Sequence, residues 1–103
     1  MKRKVAFMYI IGDIGNNVTI KEEEFENVIM MFVGVGSYDM ASKTALKLKD
    51  EGVGAIELCA GFGIQGHALI KEAVNSEIPI GAVRYDVYPG YGNISGDEKW
   101  IGK

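Results

Sequence analysis

The sequence predicts a single small α/β domain with a mainly parallel four-stranded sheet, a βαβαβ core and a Gly- and aromatic-rich C-terminal tail. Two observations carry this. Short runs dense in β-branched and other apolar residues, VIMMFVGV, GAIELCA and PIGAV, recur from residue 28 onward, as strands do. Between them lie stretches whose apolar residues repeat at helical spacing, bounded by Ser, Gly, Asn and Pro. The 103 residues suit one domain, read as a core over 3–87 and a tail over 88–103, with enough chain to bury a core without staples.

Lys4 to Ile11 is expected to form the first, buried strand. MKRKVAFMYIIG starts with basic residues as a signal peptide does, but its apolar run is short and passes into Gly12-Asp13 without a small-residue cleavage site. GDIGNNVT is dense in turn residues, and IKEEEFEN, with four glutamates in eight residues, reads as a solvated turn or short helix. Val28 to Val35 is the second strand. Ser37 then stands at an N-cap and Asp39 in the first turn of a helix. Tyr38, Ala41, Ala45 and Leu48 form its apolar stripe, and Gly52 stops it. Ala55 to Ala60 is the third strand. A second helix over 64–75 turns Gly66, Leu69, Ile70, Ala73 and Val74 inward. Pro79 opens the fourth strand, PIGAVRYDV, where a missing amide does least harm. Apolar strands alternating with amphipathic helices predict a sheet covered on both faces.

Composition narrows the function classes. A formal charge of -3 gives no footprint for nucleic acid, whose affinity comes largely from Lys and Arg neutralising phosphates. No segment has the eighteen or so consecutive apolar residues of a membrane span. Cys59 stands alone, which rules out an internal disulfide and paired-cysteine metal sites and points to a reducing, cytoplasmic setting. With one His and one Cys, no metal site is expected, and the sequence names no cofactor.

The singular stretch is Gly61-Phe62-Gly63-Ile64-Gln65-Gly66, a G-x-G-x-x-G placed between a strand and a helix, with Asp86 twenty residues beyond it. Three readings fit. In a dinucleotide site the glycines let the pyrophosphate approach and the distant carboxylate holds the ribose, although the motif should then follow the first strand of a larger sheet. A smaller anion needs only free amides at the helix N-terminus. A tight strand-to-helix corner needs no ligand.

Other candidates flank this turn. Glu57 interrupts an apolar strand and, if buried, needs a partner; Arg84 on the fourth strand is the expected one, with ligand contact or solvent exposure as alternatives. Cys59 and His67 are a candidate nucleophile and base, set against an ordinary buried thiol and a histidine that bonds a ligand or a nearby loop. Tyr85, Tyr88, Tyr91 and Trp100 give the tail apolar area that must pack on the domain or on another copy. A subunit contact is the favoured reading, and closure of a ligand cleft the rival.

The segment Asp50-Glu51-Gly52-Val53-Gly54-Ala55-Ile56-Glu57-Leu58-Cys59-Ala60-Gly61-Phe62-Gly63, followed by Gly66 and Ile78-Pro79-Ile80-Gly81, resembles a family of small bacterial α/β domains of unknown function marked by an I-E-L-C-x-G-F-G strand-turn-helix motif. The resemblance implies a compact α/β domain and brings no established activity. Ala60 replaces the first glycine of the family's turn.

Since ligands of open parallel sheets sit outside the carboxyl ends of the strands, the expected site gathers Ser37, Gly61, Phe62, Gly63, His67, Arg84 and Asp86 around a small molecule, an anion being one candidate. Whether the chain is an enzyme stays open, with Glu57, Cys59 and His67 as the catalytic candidates. The alternative is a non-catalytic homo-oligomeric module, a homodimer joined through the C-terminal tail.

Overall fold

The computed structural model describes residues 2–102. Five strands, one more than the sequence predicts, form one sheet: β1 (Arg3–Ile10), β2 (Thr19–Glu24), β3 (Val28–Val35), β4 (Ile56–Leu58) and β5 (Ile80–Ala82). The order across the sheet is β2-β3-β1-β4-β5. β1, β3, β4 and β5 run parallel, and β2 is antiparallel to β3 at the edge.

β2 is the element the sequence reading misses. Its TIKEEE is exposed along its whole length, so neither burial nor a clean alternation marks it. Such charge density suits an edge strand, where it discourages pairing with another chain. The strand exists because β3 offers it a backbone ladder from Thr19↔Gly34 to Glu24↔Ile29, closed by the Phe25 amide donating to the Val28 carbonyl.

The helices follow the sequence closely. In α1 (Tyr38–Asp50) the Ser37 hydroxyl accepts from the Met40 amide, and Tyr38, Ala41, Ala45 and Leu48 are buried as the stripe requires, together with Thr44. In α2 (Ile64–Ala73) Gly66 and Ile70 face inward, but Leu69 remains 40% exposed. A short α3 (Gly96–Trp100) ends the tail.

The β3-α1-β4 and β4-α2-β5 crossovers step across the sheet in the same direction. Crossovers of one hand that advance one way put their helices on one face. Ala6, Met8, Ile10, Met31, Val33, Val35, Ile56 and Leu58 alternate onto that face and form a single core with Ala41, Ala45, Leu48, Ile70 and Val74. The expectation of helices on both faces is therefore corrected. The edge hairpin folds beside β1 and the tail packs against α2, so among the described residues no helix covers the other side.

Candidate functional site

The glycine turn that follows β4 is closed by the chain's own side chains. Asp97, from α3, lies at the N-terminus of α2: its Oδ2 accepts from the Gln65 amide at 2.8 Å and its Oδ1 from the Gly66 amide at 2.9 Å. The Tyr38 hydroxyl donates to Asp97 Oδ1 at 2.9 Å and accepts from the Gly63 amide at 2.9 Å. An internal carboxylate thus meets the helix dipole where an anion is favoured. Burial pushes the Tyr38 phenol up, the Gly63 amide pulls it back, and the Asp97 carboxylate adds to the rise.

This closure explains the three glycines. A Cβ on Gly61 would strike the Tyr91 hydroxyl, one on Gly63 the Asp97 carboxylate, and one on Gly66 the Tyr38 ring. Each glycine makes room for a side chain of the same molecule. Gly96 has the same cause from the other side, since its Cβ would meet the Gly61 carbonyl.

The expected amide donors are all bonded within the chain. Gly61 donates to the Cys59 sulfur at 3.4 Å, Phe62 to the Cys59 carbonyl at 3.1 Å, and Gly63 to Tyr38. Phe62 itself is core, its ring stacked on Tyr38 with centroids 5.7 Å apart. Ser37 is spent on its own helix. His67 Nε2 bonds the Ile80 carbonyl at 2.8 Å; the Ile56 amide takes the Pro79 carbonyl, so Ile80 presents its carbonyl to the outer side of β5. His67 thereby covers part of an edge whose backbone groups would otherwise be open to pairing.

The Glu57–Arg84 pair does not form. β5 ends at Ala82, Arg84 lies beyond it and pairs with Asp86 at 2.7 Å on the surface, and the sheet partner of Glu57 is Gly81. Glu57 is exposed because its face of the sheet is open. Cys59 is half-buried, and the structure does not bring it together with His67 in any hydrogen bond.

Sequence reasoning overlooked Tyr38 and Asp97 as the groups that close the turn. A signal for Asp97 existed: Ser95-Gly96-Asp97-Glu98 is a capping sequence, and Ser95 does accept from the Glu98 amide at 3.0 Å. Trp100, 8% exposed, packs into the core and donates to the Tyr91 hydroxyl at 3.0 Å. The most apolar part of the tail is consumed within the molecule, and so gives no support to a subunit contact through Trp100. Lys99 lies over the Tyr91 and Trp100 rings at 5.0 and 5.3 Å. Beside them, against Ile10, Gly12 and Asp13, remains a cleft of about 310 Å³.

The larger unfilled surface is the open face. Across it, Lys21, Phe32, Phe7 and Glu57 stand side by side on β2, β3, β1 and β4, as the registers Lys21↔Phe32, Phe7↔Phe32 and Phe7↔Glu57 dictate. Glu23, Met30 and Val5 form the neighbouring row. Arg3, Val5, Phe7, Met30, Phe32 and Glu57 line a shallow cavity of about 620 Å³. Tyr9 lies over Gly34 and bonds the Thr19 hydroxyl at 3.0 Å, closing the upper end.

A sequence model described as "Family of unknown function (DUF6506)" matches residues 3–98. The chain belongs to the DUF6506 family. The match begins with β1 and reaches into α3, so the family model spans both the sheet and Asp97. No curated protein and no solved structure matches the chain. Among the described residues, no helix is long and apolar enough to cross a membrane, and no three His, Cys, Asp or Glu side chains are grouped to hold a metal ion.

Proposed function

We propose that this DUF6506 chain is a self-associating α/β module that buries its open sheet face against a second copy. One observation carries the reading: all the crossover helices lie on one side, leaving Val5, Phe7, Met30 and Phe32 on the other. A sheet layer needs cover on its apolar side, and a contiguous apolar patch rimmed by charges is the usual mark of an interaction surface. Phe32, 37% exposed, lies in the middle of that face.

The test is molar mass in solution. The wild-type chain is expected to sediment at twice 11.2 kDa, and Phe32→Glu to sediment as a monomer with unchanged circular dichroism. A monomeric wild type defeats the proposal. A cytoplasmic setting, suggested by the lone cysteine, belongs to the same reading.

A second reading, small-molecule binding at the strand ends, is favoured by the cleft beside Tyr91, Trp100 and Lys99. Its donor is then the Lys99 ammonium in place of the glycine amides. A panel of phosphates, nucleotides and carboxylates should contain a compound that raises the melting temperature by mass action, and Lys99→Ala should abolish that rise.

A further inference from the structure

The charges on the open face are ordered, and their order selects one way of pairing two copies. Along the row Lys21, Phe32, Phe7, Glu57, a cation and an anion end a line of four positions with two phenylalanines between them. The midpoint of that row falls between β3 and β1. Two sheets packed face to face are related by a two-fold axis lying in the plane between them. If the axis runs along the strands through that midpoint, Lys21 lies over the partner's Glu57, and Phe32 over the partner's Phe7. The same half-turn sets Met30 over the partner's Val5 in the next row. An axis perpendicular to the strands at this row instead stacks Lys21 on the partner's Lys21 and Glu57 on the partner's Glu57, both repulsive. We infer that two copies pair through their open faces about a two-fold axis parallel to the strands, with two symmetry-related Lys21–Glu57 ion pairs closing the ends of a Phe7–Phe32 centre.

This inference rests on the self-association proposed above and adds its geometry and its partner residues. Lys21 and Glu57 are both exposed, and Glu57 takes part in no hydrogen bond or ion pair among the described residues. Packed sheets stand about 10 Å apart, within the combined reach of a lysine and a glutamate side chain. Within one chain the same two residues are separated by three strand spacings, about 14 Å.

A charge-swap cycle followed by sedimentation tests the geometry. Lys21→Glu and Glu57→Lys each place two like-charge contacts in the interface, and each should weaken the dimer by about tenfold or more. The double variant restores opposite charges and should return the affinity to within about threefold of wild type. Zero-length carbodiimide coupling gives an independent reading, because an amide between Lys21 and Glu57 can form only where the two groups touch. Mass spectrometry should find that link in the dimer band. A dimer that Phe32→Glu dissociates, but that shows neither rescue in the double variant nor the link, overturns the axis while sparing the face. A wild-type monomer, or a dimer indifferent to Phe32→Glu, overturns both.

Discussion

Tyr38 and Asp97 show how much a single hydroxyl and carboxylate can organise. The hydroxyl satisfies the Gly63 amide and holds Asp97, which satisfies two further amides that α2 leaves unpaired at its start. Tyr38→Phe orphans a buried donor, a change expected to cost about 1–3 kcal/mol in urea denaturation. Asp97→Ala removes an N-terminal carboxylate and should cost about 1–2 kcal/mol. The phenol also sets a pH dependence. Its folded pKa is raised, chiefly by burial, so its contribution is complete below the unfolded value of about 10 and declines as pH rises beyond it. Tyr91, raised by burial against the pull of the Trp100 indole, acts in the same direction. Wild-type stability should fall above pH ~10, and Tyr38→Phe should fall less steeply over the same range. At this scale the sequence showed which residues were unusual but not their partners. Glu57 was legible as a carboxylate out of place in an apolar strand, yet its exposure depends on which sheet face is covered, a property of no local stretch.

Among the elements, α1 was legible almost to the residue because cap, stripe and stop all agree, and β3 because its apolar run is uninterrupted. β2 was not, since an edge strand is held by its neighbour's ladder and carries no apolar pattern of its own. The tail divides in the same way. Its aromatic content announced that it must pack, but only the fold shows Trp100 turning into the core and α3 delivering Asp97 to α2. Trp100→Ala should therefore cost about 3 kcal/mol or more in thermal unfolding. A loss of under about 0.5 kcal/mol, the range of a surface change, would mean that the tail is not part of the cooperative unit.

At the scale of the molecule, alternating strands and helices were enough to fix the α/β class and its parallel direction. They could not fix the number of covered faces, which follows from both crossovers advancing the same way across the sheet. From that asymmetry comes the open face on which the proposed self-association rests, with apolar side chains at its centre and charges of opposite sign on either side. The glycine turn is closed from inside by groups that the tail and α1 supply. The most direct measurement is sedimentation equilibrium of the wild-type chain and Phe32→Glu over a wide dilution range. Burial of the open face by a second copy predicts a wild-type mass of twice 11.2 kDa and a folded, monomeric Phe32→Glu. A wild-type mass of 11.2 kDa at every concentration, or a dimer that survives the charge placed at Phe32, would contradict it.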